Sequence, residues 1–309
     1  MKAFPAVYHP NRIGTLYYPA IAAIAASARE ARLSPSADDE QSIHLVLIDM
    51  QVDFCHEQGS LFVPGAGGDL RRTIEFIYQY ADRISQITCS LDSHLPHQIF
   101  HPAWWADEDG NHPAPFTLIS FADIEAGKWQ PLKKPQHSRN YVKQLEQEAK
   151  KVLTIWPYHV MIGGVGNALD PELFSAVLWH SFARDVAPTW LNKGSIPTTE
   201  HYSIVQPEVP EHDQPLGGKN RPFLDSSSQA DVIVVAGEAE SHCVLETLAD
   251  IVEEFAHTEG ALQKIYFLSD CSSPVIHPDI DFHALALEQF AKFEAQGVNF
   301  INSIDPLPF

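Results

Sequence analysis

Apolar positions in this chain alternate between short β-branched runs and segments of helical period, which predicts strands and helices in turn. His44-Leu45-Val46-Leu47-Ile48 reads as a buried strand with Asp49 at its carboxyl end. Residues Gly68 to Ser85 carry Leu70, Ile74, Ile77, Tyr78 and Ile84 on one helical face, and Ile87 to Asp92 is the next strand, again ending on an acid. Pro171 to Ala183 predicts a helix and Pro188 to Lys193 a short strand that ends in a lysine. Val232 to Ala236 is an apolar strand that breaks at Gly237 and passes Cys243 into a helix running to Val252. Lys264 to Asp270, His283 to Ala295 and Val298 to Asn302 then read as strand, helix and strand. This alternation predicts a mostly parallel sheet covered by helices on both faces.

Three stretches stand outside the pattern. Residues 1–41 form an N-terminal extension, with an alanine-rich helix from about Pro19 to Arg32 and a Ser-Pro-Ser-Ala-Asp-Asp linker. Between about residues 95 and 150 the chain fills with His, Pro, Trp and Asp, and helical spacing resumes only near Tyr141 to Lys151. So long an irregular segment inside a domain predicts a functional loop or lid. His201 to Ser228 is proline-rich and polar and reads as a surface loop.

Charge and composition narrow the partners. With 40 acidic against 20 basic residues the net charge is −20, which argues against nucleic acid and anionic membrane surfaces. No apolar run approaches the roughly 20 residues needed to span a bilayer. Tyr17 to Ala26 is short and lacks a basic flank of the signal-peptide kind. The four cysteines, Cys55, Cys89, Cys243 and Cys271, show no C-x-x-C spacing. These features predict a soluble, cytoplasmic protein with free thiols.

Ligands of open α/β sheets bind beyond the carboxyl ends of the strands, and Asp49, Asp92, Lys193 and Cys243 all stand at such ends. A thiol at a helix N-terminus favours the thiolate. Asp49 is a candidate base and Lys193 a candidate cation for that thiol. Singly, each has an ordinary alternative: a buried apolar thiol, a turn-capping carboxylate, a solvated lysine. Asp92 and His94, with His159 of Trp156-Pro157-Tyr158-His159, offer a carboxylate and two imidazoles, a donor set for Zn²⁺, Fe²⁺ or Mn²⁺. His97, His101 and His112 lie near in sequence, among 16 histidines.

Five segments together carry a resemblance: Asp49-Met50-Gln51-Val52-Asp53-Phe54-Cys55 with Gly59 to Ala66, Asp92-x-His94, Trp156-Pro-x-His159, Asn192-Lys193-Gly194, and Gly237-x-Ala239-x-x-x-Cys243-Val244. In this order they resemble the nicotinamidase/pyrazinamidase branch of the isochorismatase-like cysteine hydrolases, over about residues 43 to 250. The resemblance implies an α/β, Rossmann-like doubly wound sheet of six strands with helices on both faces, residues 42–309 being the hydrolase domain and about 95–150 a lid-like insertion. It implies Cys243 as nucleophile, Asp49 as general base and Lys193 as the charge beside them. Asp92, His94 and His159 become metal ligands, zinc foremost. The N–H groups of Ala239 and Cys243 form an oxyanion hole after a cis peptide, and Phe54 and Trp156 flank an aromatic ring. Relatives are often homo-oligomers.

Nicotinamide or a similar aromatic amide is the implied substrate. A carbamoyl or ureido amide, and a non-catalytic binding module, are the alternatives. Four departures set this chain apart: Val160 and Gly163-Gly164-Val165-Gly166 follow His159, Glu238 precedes Ala239, the histidines after His94 are out of register, and the insertion with Trp104, Trp105 and Trp129 is a candidate to reshape the pocket.

Overall fold

The protein is described from a computed structural model covering residues 3–149 and 151–307. Residues 1, 2, 150, 308 and 309, which touch the expected extension, the helix near Tyr141 to Lys151 and the C-terminal end, lie outside the described residues.

Six strands make the main sheet: β1 (Ile43–Ile48), β2 (Ile84–Asp92), β3 (Thr189–Lys193), β4 (Val232–Gly237), β5 (Ile265–Leu268) and β6 (Asn299–Ile301). They pair in parallel in the order β3-β2-β1-β4-β5-β6. That is the doubly wound arrangement in which the chain reverses direction between β1 and β4 and opens a crevice beyond their carboxyl ends. Register brings Ile48 beside Gly237 and Asp92 beside Lys193. The residues that follow β1 and β4 therefore emerge at one rim.

Both central strands are buried at every position, and successive side chains serve opposite faces. Leu45 and Leu47 join a core with Ile24, Ile74 and Leu173, while Val46 and Ile48 join a second with Phe223, Leu248, Ile251 and Phe290. Helices α1 (Ile21–Ala31), α2 (Ala66–Gln79) and α4 (Pro171–Arg184) supply the first core. Helices α5 (Arg221–Gln229), α6 (Leu245–Phe255) and α7 (Phe282–Gln296) supply the second, and α3 (Pro135–Gln144) belongs to the insertion. Each such side chain stabilises the fold by about 1.5–3 kcal/mol on burial.

Two element boundaries differ from expectation. Helix α2 ends at Gln79, because Ile84 pairs with Ile43 as the first residue of β2 and does not continue the helical face. The polar stretch after His201 contains α5, capped by Asn220, whose side-chain oxygen accepts from Phe223 N–H at 3.3 Å.

The extension packs α1 against α4. Asp170, the cap of α4, accepts from Glu172 and Leu173 N–H at 2.8 and 3.0 Å, and also from Gly14 N–H at 3.0 Å, so the extension is tied to that helix start. The insertion is built rather than irregular. Leu118–Ile119 pairs with Leu153–Thr154, Trp105–Ala106 with Gln130–Pro131, and a capping box of Ser120 and Asp123 starts a short helix. Trp104 and Trp105 are buried and donate to Ser138 Oγ and Ile99 O. No helix among the described residues is long and apolar enough to cross a membrane.

Candidate active site

Asp49 leaves β1 with φ +45°, a left-handed turn that swings its fully buried carboxyl to the rim. Ser90 fixes it there, accepting from Asp49 N–H at 3.0 Å and donating to Oδ1 at 2.5 Å. Next to it, Gly237 adopts φ +137°, and a Cβ there would stand 2.2 Å from Ile48 O. Only glycine permits that approach of β4 to β1.

Lys193, 2% exposed at the end of β3, is the node of the site. Its Nζ lies 2.8 Å from Asp49 Oδ2 and 3.0 Å from Asp92 Oδ1. It also donates to His201 O at 2.9 Å and to Cys243 Sγ at 3.5 Å. The sulfur and Asp49 Oδ2 stand 3.5 and 2.8 Å from one ammonium, hence no more than 6.3 Å apart. Three residues scattered over some two hundred positions thus converge on one ammonium.

Burial and charge act on these groups in opposite senses. Burial would lower the Lys193 pKa, but Asp49 and Asp92 outweigh it and push it well above the ordinary value. Burial raises Asp49 against the pull of Lys193. Cys243 is raised well above an ordinary thiol by burial, with Lys193 opposing and Asp49 reinforcing. The expected thiolate-favouring helix start is therefore overridden, and the resting group is a thiol that needs a base. Locally the chain enters α6 through a π-turn, Glu240–Val244, with Val244 N–H bonded to Ala239 O at 3.2 Å. Such turns often mark functional sites because they re-aim the side chain they carry.

The peptide Glu238–Ala239 is cis. Glu238 is fully buried and turned away from the cavity, its Oε2 accepting from Ser273 N–H at 3.2 Å. Burial and Asp69 raise its pKa well above the ordinary value, so it stands as a neutral acid and does not confront an oxyanion.

On the other side of Lys193, Asp92, His94 and His159 are buried and present ligand atoms within 4.8 Å of one another. His94 Nε2 is 2.8 Å and His159 Nε2 4.0 Å from Asp92 Oδ2. His94 Nδ1 lies 3.0 Å from Gly194 O, and His159 Nδ1 lies 2.8 Å from Pro157 O. A carbonyl only accepts, so both rings carry a proton on Nδ1, and Nε2 is the atom that each turns toward Asp92 and would offer to a cation on losing any proton it holds. Burial opposes ionisation of Asp92, yet His94 and Lys193 hold its carboxyl far below the usual range. The set fits a divalent ion.

Gly194, at φ +79°, makes room for this set: a Cβ would meet Asp92 Oδ1 at 2.3 Å. Val160, at φ +42°, is held by Asp53 Oδ2, which accepts its N–H at 2.6 Å, and a Cβ on Gly166 would fall 2.1 Å from the same oxygen. The departures after His159 are thus one cradle around Asp53. Of the out-of-register histidines, His101 is buried with its ring centroid 5.8 Å from that of His94, whereas His97 and His112 are exposed.

A small cavity joins both sides, lined by Phe54, Trp156, Ala239 and Cys243 together with Asp92, His94 and His159. Of the insertion's described residues only Phe100 reaches it, and Trp104, Trp105 and Trp129 do not line it. Among the wall residues sequence reasoning missed are Glu200, which was assigned to no element, and His201 and Tyr202, which open the stretch read as a surface loop although His201 is buried with Thr198 to Glu200 before it. It also missed Gln51, which donates to Asp92 O and accepts from Asp92 N–H, each at 2.8 Å, and so ties the two acidic strand ends together. A polar residue inside the first motif was the available signal.

No family model matches the sequence, and no curated protein does. Solved structures do. The yeast nicotinamidase Pnc1p bound to the inhibitor nicotinaldehyde is 18% identical, with a TM-score of 0.57 over 84% of this chain and 99% of that one. A nicotinamidase/pyrazinamidase of Acinetobacter baumanii is 20% identical, with a TM-score of 0.56 over 87% of this chain and 100% of that one. PnC1 of L. infantum in complex with nicotinate is 18% identical, with a TM-score of 0.52 over 86% and 94%. At these identities the likeness is one of architecture, and the chain has the isochorismatase-like fold of these nicotinamidases.

Proposed function

We propose that the protein is a metal-dependent cysteine amidohydrolase that cleaves nicotinamide or a similar aromatic amide to the acid and ammonia. The observation that carries this reading is the meeting of Cys243, Asp49 and Lys193 around one ammonium beside a cavity with apolar walls. Relatives of the same fold act on nicotinamide by name, which supports the substrate class.

Asp49 takes the Cys243 proton, and the thiolate attacks the amide carbon. The N–H groups of Ala239 and Cys243 hold the oxyanion, each worth about 3 kcal/mol in the transition state. Asp49 returns its proton to the leaving nitrogen, and the C–N bond breaks to release ammonia and leave a thioester. Water then attacks the thioester, Asp49 taking its proton, and the acid departs as the thiol is restored. Lys193 stays protonated throughout and offsets the negative charge carried by sulfur and carboxylate in turn. Phe54 and Trp156 grip the ring, with aromatic contacts adding about 1 kcal/mol beyond area burial. Asp92, His94 and His159 hold the ion, zinc foremost and iron or manganese by the same donors. When bound, it supplies Lewis acidity and fixed positive charge at that end of the pocket.

A carbamoyl or ureido substrate would use the same three residues; the insertion and the altered glycine turn are what favour it, and of the insertion's described residues Phe100 alone lines the pocket. The intact triad argues against an idle binding module. Four buried, free cysteines support a reducing, cytoplasmic setting. The test is ammonia release from nicotinamide, benzamide and ureido compounds by the metal-loaded protein. Turnover of nicotinamide is expected. Silence on every aromatic amide with turnover of ureido compounds would overturn the assignment.

A further inference from the structure

The polar side chains around the cavity are almost all spoken for. Glu200 Oε1 accepts from Trp156 Nε1 at 3.1 Å and from Tyr202 OH at 2.5 Å, and Oε2 accepts from Tyr141 OH at 3.2 Å. His94 and His159 are anchored at Nδ1 by carbonyls, and His242 Nδ1 lies 2.9 Å from Ser241 Oγ. His201 differs from all of these. It lines the cavity and is 7% exposed, yet neither ring nitrogen has a hydrogen-bond partner.

Buried polar groups are nearly always satisfied, so an orphaned imidazole at a cavity wall asks what completes it. Its backbone is fixed, since His201 O accepts from Lys193 Nζ at 2.9 Å, which ties its place in the wall to the catalytic ammonium. Burial keeps the ring neutral, leaving one N–H donor and one lone-pair acceptor. Much of the rest of the cavity lining is apolar: Phe54, Leu61, Phe100, Trp156 and Val275. A flat ring held between such walls meets few polar groups, and a substituent that both donates and accepts would complement the imidazole.

We propose that His201 recognises a hydroxyl or amino substituent on the ring of the amide, so that the preferred substrate is a ring-substituted aromatic amide. The inference rests on the amidase reading for its substrate class, but it is a statement about binding and is tested as one. The full-length, metal-loaded Cys243→Ala protein is titrated calorimetrically with nicotinamide and with its hydroxy- and amino-substituted forms. At least one substituted form is expected to bind tenfold or more tightly than nicotinamide. His201→Phe in the same background is expected to bring that ratio close to one, and His201→Gln, which keeps a donor and an acceptor, to retain part of it. Each ratio is taken within one protein preparation, so a reduced folded fraction cancels. Equal binding of bare and substituted rings to Cys243→Ala would overturn the inference, and so would a preference that His201→Phe leaves intact. A binding preference that follows His201, with no ammonia released by the wild-type protein from any of these amides, would uphold the inference and contradict the amidase reading alone.

Discussion

Asp49 and Asp92 end neighbouring strands and share the ammonium of Lys193, yet their surroundings part them. Beside Asp49 lie a hydroxyl and a thiol, and burial pushes its pKa up. Around Asp92 stand two imidazoles whose Nε2 atoms point at it, and against its burial His94 and Lys193 hold its carboxyl far down. One carboxylate is thereby suited to hold and return a proton, the other to remain an anion and bind a cation. Two like groups driven apart in this way are how a site assigns acid–base work to one and charge to the other.

Breaking each side separately is the way to test that division. Cys243→Ala has the largest expected effect, a loss of ammonia release of about 10⁴-fold or more, with metal content by elemental analysis unchanged. Asp49→Asn is expected to lower kcat/KM by about 10²–10⁴, again with metal retained. Asp49 must be ionised to accept the thiol proton, so activity rises with pH through its pKa. Because that pKa is raised, the acid limb lies above the ordinary carboxylate range. In Asp49→Asn that limb is expected to vanish from the pH profile, and its persistence would assign it elsewhere.

The opposite side gives the opposite pattern. His159→Ala is expected to weaken metal binding by at least about 100-fold while Cys243 keeps its rate of alkylation by iodoacetamide; removing even outer partners of such ligands costs about 10–100-fold. The smallest effect is expected from Ser90→Ala, which deletes one hydrogen bond to Asp49, about 1 kcal/mol or some fivefold in kcat/KM. A shift of the acid limb without change in metal content would place Ser90 wholly on the proton-handling side.

The sequence made the sheet and the strand-end acids legible, because β1, His44 apart, and β4 are apolar runs and their ends stand out as Asp49 and Gly237. Asp92, His94, His159, Lys193 and Cys243 were legible as motifs. Their partners were less so: Ser90 and Gln51 are polar residues whose bonds cross between strands, and no local period announces them. His201 and the residues after it read as loop because they are polar, and Glu200 before them carried no signal at all; only tertiary partners such as Tyr141 and Trp156 explain the burial of Glu200. The thiol's state was legible only in part: a helix start favours the thiolate and a neighbouring base implies a thiol, and depth of burial, which raises the Cys243 pKa, is a property of the fold.

The direct test of the central claim is acid-quenched peptide mass mapping of the metal-loaded protein during turnover of nicotinamide. One acyl group on Cys243, absent from Cys243→Ala and lost on further hydrolysis, is the predicted result. Sustained ammonia release with Cys243 unmodified, and undiminished in Cys243→Ala, would contradict the account.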